Sequence, residues 1–299
     1  MTALNYAKQY SDALAQEFPF VLYFGALYAT PNNGRYRITG AKTIEIPVIS
    51  TTGRVDANRD TIGSKARNYN NTWETKVLSN ERKWDTLVHP MDIDQTNYVA
   101  SIQNITQVYN EEQKFPEMDA YTVSKIYADW VTAGGTADDT VPSVSNILTL
   151  FDTYMQAFDE ARVPANGRIL YVTPPIHTII KNAEKLSRSI DVQNRSEEVN
   201  RLVGLLDMVK IEKVPSSLMK TLFDFTSGWT AGVGAKQINM MLIHPLAVIT
   251  PTSYEFAMLD EPKASTDGKY VYYEESHEDV FILNNKKGAI MFNVEPEGE

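Results

Sequence analysis

The amino-acid sequence predicts an α+β fold, which combines a long helix, a part of alternating helices and strands, and a strand-rich hairpin. Three observations lead to this prediction. Residues 116–132 have the spacing of a long helix, residues after 140 alternate between helix-like and strand-like segments, and residues 40–90 carry strand-like segments around a long polar stretch. The third observation predicts a hairpin that projects from the body, because its polar part cannot form a core of its own.

The composition is that of an ordinary folded protein. Of the 299 residues, 43% are hydrophobic and 22% are charged, which excludes a disordered or collagen-like chain. The longest apolar run, Phe18 to Ala29, is shorter than the ~20 residues that span a bilayer, and no signal peptide is predicted. The absence of cysteine excludes disulfides, thiolate metal sites and a cysteine nucleophile, and it fits folding in a reducing cytoplasm.

The long helix has clear start and stop signals. Phe115-Pro116-Glu117 is typical of a helix start, since proline is tolerated in the first turn and an acid there complements the helix dipole. The helix is predicted to run to about Thr132 and to end at Gly134-Gly135. Residues 134–140 then form a linker and a candidate domain boundary.

The rest of the chain has an α/β rhythm. A helix is predicted from Ser143 as its cap, and a second one opens at Pro174-Pro175. Strands are predicted at 169–173, 208–214 and 238–243, and three closing strands at 269–274, 280–283 and 289–294.

The N-terminal segment is unusually apolar. Residues 3–17 are predicted to form a short helix with apolar side chains on two sides, and the run from Phe18 to Ala29 follows it. Such a segment is poorly placed in water, so we expect a partner to cover it.

The hairpin begins with Ile44, Ile46 and Val48, which alternate with Glu45 and Pro47 as in a half-exposed strand. Because proline cannot donate to a strand ladder, this strand is expected at a sheet edge. Strand character resumes at 72–78 and at 84–88, after the polar stretch 50–71. A lone hairpin is marginally stable in water, so this one needs a surface to lie on.

The net charge of −10 is unevenly distributed. Residues 35–85 hold ten basic and six acidic groups, a net charge of +4, whereas 86–130 carry −5 and 255–299 carry −7. The acidic balance argues against tight nucleic-acid binding by the whole chain. The basic segment is therefore expected to seek an acidic protein surface.

No pattern of residues predicts catalysis. The glycine-rich stretch 228–236 lacks the Gly-Lys-Ser/Thr ending of a phosphate loop, and Asp92-Ile93-Asp94 lacks the turn glycine and the final glutamate of a calcium loop. The histidines lack metal-ligand spacing, and no Gly-x-Ser-x-Gly elbow is present. We therefore predict no enzymatic activity, no catalytic, cofactor-binding or metal-binding residues, and no cofactor.

Several short motifs resemble the major capsid proteins of tailed bacteriophages with the Hong Kong 97-like fold, of the type common in phages and prophages of Gram-positive bacteria. They are Thr72-Trp73-Glu74-Thr75, Leu78-x-x-Glu81-Arg82, Met91-Asp92-x-Asp94-x-Thr96-Asn97 and Phe115-Pro116-Glu117-Met118-Asp119-Ala120-Tyr121-x-x-Ser124-Lys125-Ile126. The resemblance is strongest over 43–132; over 133–299 it is mostly in the order of the elements.

The resemblance implies a division of the chain. An N-terminal arm would span 1–34 and an extended loop 35–90. A peripheral domain would combine 91–135, with its spine helix at 116–132, and 251–299, and an axial domain would span 136–250. Residues expected at contacts between subunits are Arg54, Arg59, Lys65, Arg67, Leu4, Phe18 and Phe20.

The resemblance also implies partners. Copies of the chain would form hexamers and pentamers of an icosahedral or prolate shell in the virion, assembled in the host cytoplasm around double-stranded DNA that is not bound tightly. A portal protein and possibly a decoration protein would join the shell. Because the arm begins almost at Met1, a separate scaffolding protein is expected. The late position used for cross-linking in some relatives reads Asp267-Gly268-Lys269, without asparagine, so a non-covalent shell is expected.

Two other functions stay open at this point. An encapsulin-like compartment would have the same fold with an enzyme cargo inside. A soluble α/β enzyme with an unrecognised site belongs to a different class, and the size of the assembled particle would separate it from a shell protein.

Overall fold

A computed structural model describes residues 21–40, 42–56, 63, 67–96, 100–183 and 203–296. The helix predicted at 3–17 lies outside these residues. Within them the α-helices are α1 Gly25–Tyr28, α2 Pro90–Gln95, α3 Ile102–Tyr109, α4 Phe115–Thr132, α5 Ile147–Glu160 and α6 Pro174–Lys181. The strands are β1 Arg37–Gly40, β2 Thr43–Thr51, β3 Tyr69–Val77, β4 Glu81–Val88, β5 Ile169–Val172, β6 Leu205–Leu206, β7 Val209–Lys213, β8 Phe223–Asp224, β9 Thr230–Ala231, β10 Ile238–Ile243, β11 Val248–Ile249, β12 Thr252–Asp260, β13 Tyr270–Glu278, β14 Phe281–Ile282 and β15 Ile290–Val294.

The strands form a central sheet and several smaller ones. The central sheet has the order β15-β10-β5-β7-β6, and its β5–β7 pair is parallel while the other pairs are antiparallel. A second sheet has the order β1-β2-β3 and a third the order β12-β13-β4. Two ribbons, β11-β14 and β8-β9, complete the described part. The α+β class is confirmed.

The central sheet is buried on both faces, which explains its nearly continuous apolar strands. Because side chains alternate along a strand, Ile169 and Tyr171 of β5 lie on one face and Leu170 and Val172 on the other. The first face packs against α1 and α4, and the second against α5 and α6. The sheet therefore separates two apolar cores.

The long helix α4 has the predicted bounds and is joined to α3 by a π-helical turn. Ser101 caps α3, its hydroxyl accepting from the Asn104 backbone N–H at 3.3 Å, and α3 continues through one π-helical turn, Asn110–Lys114, into α4. The predicted start of α4 at Phe115 is confirmed, but the sequence does not predict the π-helical turn that joins α4 to α3. Pro116, which lacks a backbone N–H, is accommodated directly after this turn. The predicted end is confirmed: α4 stops at Thr132, and Gly134 has a φ of 88°.

The three predicted closing strands exist, but they enter three different sheets. β13 pairs with β4 and β12, β14 pairs with β11, and β15 pairs with β10 in the central sheet. The prediction missed β12, which pairs with β13 along its whole length. Its apolar residues fall on both faces of the strand, so the sequence has no clean period of two.

The hairpin also differs from its prediction in two details. The strand predicted at 84–88 is β4, which leaves the hairpin and pairs with β13. β2 is central only near its start, since its pairing with β1 ends at Glu45. Pro47 therefore lies where β2 has β3 alone as a neighbour, and the predicted edge position holds for that part of the strand.

The turn after α4 offers a test of close packing. A methyl group at Gly135 would overlap the ring of Trp130, a buried side chain that packs against Phe292 with 5.3 Å between ring centroids. Gly135→Ala is therefore expected to lower the free energy of unfolding by about 1–3 kcal/mol in urea denaturation. Gly53→Ala is the matched control, because that position has no neighbouring atom within 4 Å. Equal stability of the two variants would contradict this packing.

Candidate functional site

A small apolar cluster fixes the base of the β2–β3 hairpin to the body. Ile44 and Ile46 are buried there together with Leu78, just after β3. They pack against three residues of the β11–β14 ribbon and its flank, namely Ile249, Phe281 and Leu283. The side-chain amide of Asn284 also donates to the Glu74 carboxylate. The hairpin thus leaves the body at a fixed point.

From Pro47 outwards the described residues of the hairpin bury no side chain. Its strands stay in register as far as the pair Thr51–Tyr69. Along this part Ile49 is 69% exposed, Tyr69 57% and Trp73 46%. For these described residues the predicted lack of a core is confirmed, and the two aromatic side chains, Tyr69 and Trp73, are exposed to solvent.

The hairpin carries two of the predicted contact residues near its far end. Arg54 and Arg67 are both exposed and follow and precede the last described pairing, in which the Thr52 backbone N–H donates to the Asn68 carbonyl at 3.1 Å. The Arg67 guanidinium lies 5.5 Å from the centroid of the Tyr69 ring. The other predicted contact residues, Arg59, Lys65, Leu4, Phe18 and Phe20, lie outside the described residues.

A second candidate surface is one face of the β12-β13-β4 sheet. The opposite face packs on the long helix, where Trp84 stacks on Tyr109 with 3.9 Å between centroids. On the outward face Leu87 is 60% exposed, Met258 50% and Tyr254 44%. We call this outward face, formed by alternate residues of the three strands, the outer sheet face.

Acidic side chains surround the apolar ones on the outer sheet face. The strand register places four of them there: Glu81, Asp85, Asp260 and Glu275. The hydroxyl of Tyr273 donates to Glu275, which lowers the pKa of that carboxyl. Lys83 lies on the same face, and Glu81 and Asp260 pair with Lys42 and Lys263, so Asp85 and Glu275 are the acids without a lysine partner. The face is thus aromatic with a small excess of acids. The sequence could not reveal it, because β12 was not recognised as a strand.

The segment before β1 belongs to the chain's own core. Phe24 and Leu27 are fully buried, and the Asp119 carboxylate of α4 accepts the backbone N–H groups of Tyr23 at 2.9 Å and Phe24 at 3.1 Å. Asn32 donates to the Leu246 carbonyl at 2.8 Å. The expectation that a partner buries the whole apolar run 18–29 is therefore wrong for its described part, because α4 and the central sheet already cover it.

The sequence motifs considered for ligand binding have other surroundings in the structure. In this part of the chain no three histidine, aspartate or glutamate side chains come close enough together to hold a metal ion. The glycine-rich stretch forms the β8–β9 hairpin, whereas a phosphate loop leads into a helix. His89 caps α2, its Nδ1 accepting the Met91 backbone N–H at 3.1 Å. Nowhere in the described ranges is a helix both long and apolar enough to cross a bilayer.

Comparison with known proteins points to one group of structures. No protein-family profile and no curated protein matches the sequence. The capsid structure of the cyanophage P-SCSP1u aligns with a TM-score of 0.65 at 12% identity, covering 97% of this chain and 93% of that one. The chain has a phage capsid fold. The mature capsid of bacteriophage PhiM1 also aligns with a TM-score of 0.65, at 10% identity, covering 98% of this chain and 92% of that one. A structure from Mycobacterium phage Che8 aligns with a TM-score of 0.60 at 14% identity, covering 96% of each chain.

The two hydrogen bonds that the buried Asp119 carboxylate accepts are expected to contribute measurably to the stability of the fold. Loss of its carboxylate strands two buried N–H donors, so Asp119→Ala is expected to lower the free energy of unfolding by about 2–4 kcal/mol in chemical denaturation. Asp119→Asn is expected to cost less, because its amide oxygen replaces one of the two acceptors.

The effect of Asp119 is expected to depend on pH. Burial raises the pKa of this carboxyl from its ordinary value of 3.8 to about 7. The folded state then keeps a proton that the unfolded state releases, so this contribution to stability is complete below pH ~4 and is lost as pH rises through 7. The stability difference between wild type and Asp119→Asn is expected to narrow from pH 5 to pH 8; a difference that widens would contradict this.

Proposed function

We propose that this protein is the major capsid protein of a tailed bacteriophage, a structural and non-enzymatic subunit that assembles with its own copies into an icosahedral or prolate shell around the phage DNA. The observation that carries the proposal is the full-length alignment with phage capsids, over 97% of this chain and 93% of the cyanophage chain. A projecting hairpin without a core supports it, because such a hairpin needs a surface on another molecule.

The proposed division of the subunit follows the fold. The arm spans 1–34, whose described part, from residue 21 onwards, contacts the core of the same chain, and the extended loop spans 35–90 with β2 and β3 as its projecting part. The peripheral domain consists of 91–135 and 251–299. The axial domain, 136–250, contains most of the central sheet, to which β15 returns from the end of the chain.

We assign the outer sheet face as the surface on which the hairpin of an adjacent copy lies. The hairpin presents Arg54, Arg67 and exposed aromatic rings, and the outer sheet face presents acids beside Tyr254 and Met258. The basic hairpin and the acidic outer sheet face attract each other electrostatically. Each also exposes apolar side chains, and burying them in a contact would be favourable. Arg59 and Lys65 would add to the positive charge of the loop. One exposed ion pair contributes only ~0–1 kcal/mol, so the effect depends on its repetition at every subunit.

The remaining partners follow from the capsid role. Hexamers and pentamers of this chain would form the shell, with a separate scaffolding protein during assembly, a portal protein at one vertex and a decoration protein as an optional addition. The virion would be the final location, after assembly in the host cytoplasm. The net charge of −10 supports weak rather than tight contact with the enclosed DNA.

The assembly proposal can be tested by deletion. Electron microscopy of the full chain, expressed with its scaffolding protein, is expected to show capsomers or closed shells. Removal of residues 1–20 is expected to leave a folded subunit that does not close shells, because the contacts of 21–34 within the core stay intact. Circular dichroism provides the control for folding. A full chain that stays monomeric at high concentration with the scaffold present would overturn the proposal.

The docking of the hairpin can be tested by charge reversal. Arg54→Glu with Arg67→Glu is expected to leave the melting temperature of the unassembled subunit unchanged, since both side chains are exposed, and to weaken shells most at low salt. Arg54→Lys with Arg67→Lys keeps the charge and is the matched control. Light scattering during dissociation measures the effect. Reversed-charge shells as resistant as wild type at low ionic strength would show that charge does not dock the loop.

A further inference from the structure

A cavity of about 200 Å³ lies between the C-terminal end of α5 and the turn that precedes β15. Its polar lining residues are Arg162, His244, Asn285 and Lys286. No acidic residue lines it among the described parts of the chain. Gly288 brings the two walls together, because a methyl group there would lie 3.0 Å from the Cβ of Ala161. The cavity therefore has closely packed walls at Gly288 and a lining with an excess of positive charge.

Arg162 reaches this cavity from a strained backbone position. It follows the cap of α5 with a φ of 58°, the left-handed region that glycine normally occupies at a helix end. Its N–H donates to the Asp159 carbonyl and that of Val163 to the Phe158 carbonyl, both at 2.9 Å, the paired bonds of a Schellman motif. An arginine here costs stability that glycine would not, and such strain is characteristic of functional positions.

The positive groups around the cavity repel one another. Burial lowers the pKa of Lys286, and the nearby charge of Arg35 lowers it further. The pKa of His244 is lowered mainly by burial, against its hydrogen bond to the Asn166 carbonyl, which raises it; the charges of Arg168 and Lys286 lower it further. The Asp159 carboxylate neutralises little of this positive charge, because its Oδ1 already pairs with Nη2 of Arg168 at 2.6 Å.

His244 forms a wall of the cavity rather than a ligand. Its Nδ1 accepts the Leu246 backbone N–H at 3.1 Å, and its Nε2 therefore donates to the Asn166 carbonyl at 3.0 Å. With both nitrogens engaged the ring is neutral. Arg162, Lys286 and the amide of Asn285 are the groups left to face a ligand.

We propose that this cavity binds a tetrahedral oxyanion of the phosphate class, held by Arg162 and Lys286 with Asn285 as a further donor. The guanidinium offers paired donors and the ammonium a point charge, the combination that recognises phosphate oxygens. The anion would offset the repulsion between Lys286 and Arg35. The site lies in the body of the subunit, so it does not depend on shell assembly.

Thermal unfolding of the full-length subunit in chloride buffers, with and without inorganic phosphate at constant ionic strength, tests the proposal. For a Kd of about 1 mM, 10 mM phosphate is expected to raise the Tm of the wild type by about 2 °C. A parallel titration with a short DNA duplex distinguishes a free anion from a backbone phosphate. The ligand is identified as free phosphate or as backbone phosphate according to which of the two titrations raises the Tm of the wild type but not of the variants.

Two variants and one control complete the experiment. Arg162→Gly is expected to abolish the shift while raising the Tm in chloride, because glycine removes the backbone strain. Lys286→Gln is expected to abolish the shift without lowering the Tm in chloride, because it removes a like charge from Arg35. Lys213→Gln, exposed at the end of β7 and remote from the cavity lining, is expected to keep the shift. Shifts of the same size in wild type and both variants, in both arms, would overturn the proposal.

Discussion

The long helix formed by α3, the π-helical turn and α4 connects the parts of this subunit. Its buried side, with Ala120, Val123 and Ile126, packs against the central sheet. Asp119 anchors the segment before β1, and the Tyr121 hydroxyl donates to the Asp279 carboxylate at 2.7 Å, at the junction of β13 and β14. Because one rigid element carries these contacts, the body of the subunit has a core that does not require another copy.

The hairpin and the outer sheet face contrast with this body. Each presents large apolar side chains to water, such as Trp73 at 46% exposure and Met258 at 50%. A chain that builds two complete cores around its central sheet and leaves these surfaces uncovered is organised for contact with other molecules. In the proposed capsid function, both surfaces are covered by contact with a second copy of the same chain.

The parts that the sequence predicted are those with local signals. The strands at 169–173 and 238–243 follow from continuous apolar runs, and the lack of a core in the hairpin follows from the polar stretch 50–71. The sequence predicts the start of α4 at Phe115 but not the π-helical turn that joins it to α3, because Pro116 has the pattern of a first-turn proline. β12 was missed, and with it the outer sheet face, because strand pairing with β13 rather than local periodicity defines it. The cavity beside Arg162 depends on a left-handed backbone position that no residue type announces.

The central claim is that the body is stable alone while the outer hairpin acquires its stability from a second copy. Hydrogen exchange measured by mass spectrometry on the unassembled subunit and on assembled shells tests it most directly. Amides of 48–51 and 69–73 are expected to exchange rapidly in the subunit and to be protected in the shell, while those of α4 and β10 are protected in both. Hairpin amides as protected in the unassembled subunit as in the shell would contradict the claim.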